Sequence, residues 1–254
     1  MEFNENIFRE YDIRGVYPID INESFAYLFG QGFGSYIQEK FRLNTCIVGY
    51  DNRYSSVSLT DQLIKGLLST GVNVVHIGLV TTPMVYYARD LLSIPSSIMV
   101  TASHNPKDEN GFKFSFDKEN AAGEEIYALR DFIKEGNFKS GNGKLEEKEI
   151  IPDFYQLLLK NTFVGTKRLK VVIDPIYLYA KSDPAFPNHH PDPAVEENLE
   201  VLKKVVVQEH ADLGVAFDGD GDRCCCIDNL GRYVKSDQYM AVLVQDILPH
   251  AKNK

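Results

Sequence analysis

The chain has 254 residues, 44% hydrophobic and 25% charged, which is enough for two modest cores. With 27 Lys+Arg against 36 Asp+Glu, its formal net charge of -9 would repel a polyanion over long range, so nucleic acid is excluded as a general partner. No apolar run is long enough for a bilayer and no charged-then-apolar leader opens the sequence, so a soluble, cytoplasmic protein without a membrane partner is expected.

In chain order, apolar strand-like runs alternate with amphipathic stretches. The periodicity predicts a helix over Glu23–Phe41, a strand over Cys46–Tyr50, a helix over Ser58–Thr70 ended by Gly71, and a strand over Val72–Ile77. A helix at Pro83–Leu91, the buried strand Ser97–Val100 and a helix at Glu124–Lys134 close this unit. Glycine, asparagine and charge dominate from Glu135, which predicts a linker at 139–148 between a first domain, 1–138, and a second, 149–254. The second half continues with a helix at Ile150–Asn161, a strand at Lys170–Asp174 and a helix at Val195–Glu209. The hairpin Leu213–Phe217 with Cys224–Asp228 and a helix at Asp237–Leu248 complete it. The expected fold class is α/β, with two consecutive mixed or parallel sheets and helices on their faces.

Between the hairpin strands lies Asp218-Gly219-Asp220-Gly221-Asp222-Arg223. Three carboxylates at alternate positions, spaced by glycine, can turn toward one hard divalent cation. An EF-hand loop opens with the same alternation but needs glycine sixth and glutamate twelfth; here Arg223 and Asn229 stand there, so that motif is excluded. The triplet Cys224-Cys225-Cys226 cannot clasp one metal, because strand neighbours point to opposite faces. These cysteines and Cys46 are expected as thiols. His189 and His190, flanked by prolines, are poorly arranged for a shared ion and are expected to be structural.

A second stretch, Thr101-Ala102-Ser103-His104-Asn105-Pro106, follows the strand ending at Val100, with Asn110-Gly111-Phe112-Lys113 beyond it. Ser103 would emerge at the carboxyl end of a sheet strand, where open α/β sheets place their ligands. It is a candidate nucleophile or phosphate carrier.

These two loops, with Phe8-Arg9-Glu10-Tyr11-Asp12-Ile13-Arg14-Gly15 near the start and Phe186-Pro187-Asn188-His189-His190-Pro191-Asp192-Pro193, resemble the α-D-phosphohexomutases, the family of phosphomannomutases and phosphoglucomutases. The resemblance implies a phosphoserine at Ser103 and Mg²⁺ held by that phosphate with Asp218, Asp220 and Asp222. It implies interconversion of hexose 1-phosphate and 6-phosphate through a bisphosphate intermediate. Arg14 and Arg223 would lie near the phosphoserine and the metal, and Lys113, ahead of His104, would move the sugar hydroxyl proton. Asp51, Arg53 and Ser55 match a family loop without an assigned step.

Two departures follow from the same resemblance. Pro175 to Ala185 stands where a member normally has a turn, a helix and a strand, so the second domain is expected to be shortened, with apolar faces uncovered. The family's third and fourth domains, which read sugar hydroxyls and grip the second phosphate, find no counterpart, so little or no mutase turnover is expected of this chain alone. A non-catalytic sugar-phosphate or protein-binding descendant and a Mg²⁺-dependent phosphatase remain as alternatives. The Gly111-Phe112-Lys113 variant is nearer phosphomannomutase/phosphoglucomutase than glucosamine mutase.

Overall fold

The computed structural model describes residues 3–117, 119–161, 168–174 and 183–248, in two units, Met1–Thr162 and Phe163–Lys254. The first unit runs β1 (Ile13–Val16), α1 (Glu23–Lys40), β2 (Thr45–Tyr50), α2 (Ser56–Ser69), β3 (Asn73–Leu79), α3 (Thr82–Leu92), β4 (Ser97–Val100), β5 (Glu109–Ser115), α4 (Glu124–Glu135), β6 (Leu145–Glu147) and α5 (Ile151–Asn161). Its sheet has the order β1-β5-β4-β2-β3-β6. β2, β3, β4 and β6 run parallel, whereas β5 returns antiparallel to β4 and β1 pairs antiparallel with β5.

Aromatic spacing explains how one face is covered. Asn22 caps α1 by accepting from the Phe25 amide at 3.0 Å, and Phe25, Phe29 and Phe33 then recur every fourth residue on one side of the helix. Strand alternation turns Phe112 and Phe114 to the same face of β5, and the rings of Phe29 and Phe112 stack with centroids 4.8 Å apart. Burying each such ring contributes roughly 1.5–3 kcal/mol. The opposite face is covered by α3, where Ile47, Val75, Val85, Ala88 and Met99 form a separate buried cluster.

α1 and α2 cross at backbone distance. A Cβ on Gly66 would lie 2.2 Å from the Tyr27 carbonyl oxygen, and one on Gly30 2.4 Å from that of Leu63. Gly66→Ala is therefore expected to cost about 1–3 kcal/mol by forcing the helices apart. Urea denaturation checks this, and an unchanged midpoint would contradict so close a crossing.

The segment expected as a linker, 139–148, contributes β6, which pairs parallel with β3 through Val74 to His76, backed by a His76–Glu147 contact of 2.9 Å. The helix expected to open the second domain also belongs with the first unit: Ile150 joins the α3-side core and Phe154 packs on Tyr87 with ring centroids 5.3 Å apart. The division accordingly falls after residue 162.

The second unit comprises β7 (Val171–Asp174), α6 (Glu200–Gln208), β8 (Leu213–Phe217), β9 (Cys224–Asp228), β10 (Tyr233–Val234) and α7 (Ser236–Ile247). The expected helix Val195–Glu209 divides into a short 3-10 turn, Glu196–Leu199, and α6. The sheet order is β10-β9-β8-β7, with only β7 and β8 parallel. Val172, Ala216, Cys225 and Ile227 meet Leu199, Leu202 and Val206 in one core. Cys225 is buried while Cys224 and Cys226 are half-buried, as alternation requires, and all four cysteines are thiols. Most of the segment Pro175–Ala185, expected to be shortened, lies outside the described residues. Among the described residues β7 is an edge strand of this sheet.

Candidate active site

Ser103 sits on the connection that leaves β4, inside the sheet, and returns as β5. Its backbone is left-handed, φ +53°, and the residue is 1% exposed. Its amide donates to Thr101 Oγ1 at 2.8 Å, its carbonyl accepts from Arg53 Nη2 at 2.7 Å, and its Oγ lies 3.3 Å from His104 Nδ1. In the tautomer that leaves Nδ1 unprotonated, the hydroxyl donates to it, which is the arrangement of a nucleophile beside a base.

Arg14, on β1, is brought to the same loop. Its Nη1 donates to Asn105 Oδ1 at 2.6 Å and to the Ala102 carbonyl at 3.3 Å, while Nε pairs with Asp12 at 2.6 Å. Lys113 lies on β5 opposite Met99, and alternation places it on the face away from Phe112 and Phe114. Ser103, His104 and Arg14 are thus gathered by one sheet end, and Lys113 is set on the strand that follows.

In the second unit the acidic run forms the turn between β8 and β9. Gly221 takes φ +73°, and the Gly221 amide donates to the Asp218 carbonyl at 3.2 Å, so the chain doubles back with Asp218 and Asp220 buried and Asp222 exposed. Asp218, Asp220 and Asp222 each present an oxygen within 4.8 Å of the others. Burial, then the charges of Asp220 and Asp222, push the Asp218 carboxyl up to about 7, against the donation from the Arg223 amide. Arg223 folds over the run, its Nε 3.2 Å from Asp218 Oδ2 and 3.9 Å from Asp222 Oδ1. Crowded carboxylates with two members buried are the donor set that a hard divalent cation neutralises, so the residues fit Mg²⁺.

His189 takes no part in that cluster. Its Nε2 lies 3.1 Å from the buried Asp174, and this hydrogen bond raises its pKa.

The model of the phosphoglucomutase/phosphomannomutase α/β/α domain I matches residues 5–139, and that of α/β/α domain II matches 159–231. The chain belongs to the phosphoglucomutase/phosphomannomutase family. It is similar to the phosphomannomutase/phosphoglucomutase of Pseudomonas aeruginosa, 39% identical over 264 residues, which cover 96% of this chain and 56% of that protein. A phosphoglucomutase of Neisseria gonorrhoeae is 32% identical, with 96% of this chain and 57% of the relative covered. A family protein from Burkholderia thailandensis, of known crystal structure, matches with a TM-score of 0.92 and 30% identity over 98% of this chain and 60% of that one. This family chain therefore spans little more than half the length of these relatives. The 264 aligned positions also exceed its own 254 residues, so the Pseudomonas relative carries residues that this chain lacks.

One group in this phosphoglucomutase/phosphomannomutase chain went unassigned at the sequence level. Arg53, with a side chain 0% exposed, donates to the carbonyls of Ser103, Asn105, Pro106 and Glu109 at 2.6–3.0 Å and pairs with Asp51 at 3.1 Å. Only its resemblance to a family loop, Asp51, Arg53 and Ser55 directly after β2, singled it out in the sequence.

Proposed function

We propose that this chain carries the phosphoryl-transfer serine and the metal-binding acids of a phosphohexomutase acting on hexose 1-phosphate and 6-phosphate. The observation that supports it most is Ser103 itself: a hydroxyl 3.3 Å from His104 Nδ1, held in a strained backbone at the carboxyl end of β4. In the proposed cycle the phosphoryl group moves from Ser103 Oγ to a sugar hydroxyl, whose proton passes to Lys113 or His104. The other phosphate of the bisphosphate then restores the phosphoserine.

Arg14, anchored on the serine loop, supplies positive charge to the phosphoryl group, and Arg223 does so beside the acids. Asp218, Asp220 and Asp222 would hold Mg²⁺, which would supply positive charge at their turn. Substrate capture by a protein of net charge -9 then depends on these local cations rather than on a basic surface. The four thiols suit a reducing cytoplasm. No helix among the described residues is long and apolar enough to cross a membrane.

Intact-mass measurement tests this. After incubation with glucose 1,6-bisphosphate and Mg²⁺ the wild-type chain is expected to carry one phosphate and Ser103→Ala none. A phosphate on both proteins, or on neither, would overturn the assignment.

A further inference from the structure

The left-handed region is sparsely populated by any residue with a Cβ, so Ser103 keeps its φ of +53° only if its surroundings enforce it. Both of its peptide groups are held. Thr101 Oγ1 accepts from the Ser103 amide at 2.8 Å and donates to Asp51 Oδ2 at 2.7 Å. The same Asp51 oxygen accepts from Arg53 Nε at 3.1 Å, and the Arg53 guanidinium donates to the Ser103 carbonyl at 2.7 Å. One carboxylate oxygen therefore braces Ser103 from its amide side through Thr101 and from its carbonyl side through Arg53.

We propose that Asp51, Arg53 and Thr101 form a positioning bracket that fixes the conformation of Ser103 and so aims its hydroxyl for phosphoryl transfer. The inference rests on the mutase function proposed above. Asp51, Arg53 and Thr101 are 3%, 2% and 1% exposed, so water does not compete for these bonds. Ser56 completes the Asp51 shell, its Oγ donating to Oδ1 at 2.5 Å. The planar guanidinium also reaches the Asn105, Pro106 and Glu109 carbonyls, a fork that an ammonium cannot reproduce. None of the three residues needs to touch the sugar.

The test is the rate at which glucose 1,6-bisphosphate phosphorylates Ser103 in the presence of Mg²⁺, followed by intact mass. In that step the donor's P–O bond breaks, a bond from phosphorus to Oγ forms, and the serine proton ends on the sugar oxygen of the released monophosphate. Thr101→Val removes the hydroxyl and keeps the shape; Thr101→Ser keeps the hydroxyl; Arg53→Lys keeps the charge and loses the fork. Misaiming predicts a maximal rate about 10- to 100-fold lower in Thr101→Val and Arg53→Lys, with the half-saturating donor concentration nearly unchanged. Thr101→Ser is expected within about threefold of wild type. A wild-type chain that takes no phosphate defeats the mutase function and the bracket with it. A wild type that does, alongside variants of equal rate, defeats the bracket alone. So do variants restored by more donor, or slow variants that have also lost their cooperative melting transition, since binding or stability then suffices.

Discussion

Replacing Arg53 by alanine is expected to lower the stability of the protein by about 3–5 kcal/mol, the cost of breaking a buried ion pair from one side. The guanidinium is 0% exposed and Asp51 3%, so neither has water to fall back on. Truncation leaves four carbonyls short of a donor and a carboxylate without its cation. Burial already raises the Asp51 pKa, and Arg53 is the leading opposing influence. In the variant Asp51 should therefore hold its proton to a still higher pH. A carboxyl raised above its unfolded value of about 3.9 contributes stability that is full below that value and lost as the pH rises through the folded one. The gap between wild type and Arg53→Ala should accordingly be wider at pH 8 than at pH 5 in urea denaturation. A gap under about 1 kcal/mol at both pH values would show that the loop does not depend on this ion pair.

A comparable effect is expected at the acidic turn, through repulsion rather than a lost partner. With Asp218 near 7 in the metal-free fold against 3.8 unperturbed, raising the pH should remove up to about 4 kcal/mol, at 1.36 kcal/mol per unit. The sign is the same as for a lone buried acid: stability is full below about 4 and is lost as the pH climbs to about 7. Asp220→Asn removes the larger of the two like charges that raise the Asp218 pKa, so the metal-free variant should melt higher than wild type at pH 8 and no differently at pH 4. Mg²⁺ at a hundred times its dissociation constant should return about 2.7 kcal/mol to wild type and much less to the variant. Melting curves with and without Mg²⁺ at the two pH values decide it. Equal stabilisation of both proteins would sink the metal assignment.

Much of the architecture could be anticipated from the chain, because its helices are amphipathic and the inner strands β2 and β4 are largely apolar. Ser97–Val100 is buried at every position, and its sequence-derived bounds coincide with β4. β5 escaped notice because it opens on Glu109-Asn110-Gly111, a turn-like composition whose strand character comes from pairing with β4 on one side and β1 on the other. β6 is exposed at all three residues, Leu145, Glu146 and Glu147, so no alternation marked it; only its register against β3 makes it a strand. The acidic turn was legible because its chemistry lies in side chains two residues apart in one short run. The Arg53 hub was not, since its partners are mostly main-chain carbonyls, which leave no trace in residue type.

In the proposed mutase reaction, the route by which β4 hands over to β5 would also constrain how a hexose behaves. Both ends of the serine loop are sewn into neighbouring, hydrogen-bonded ribbons, and its middle is tied down by Arg53, so the main chain that carries the hydroxyl is held in place. A stationary donor cannot visit two oxygens at opposite ends of a sugar. In the proposed reaction the passenger, rather than the protein's serine, has to turn around between the two half-steps.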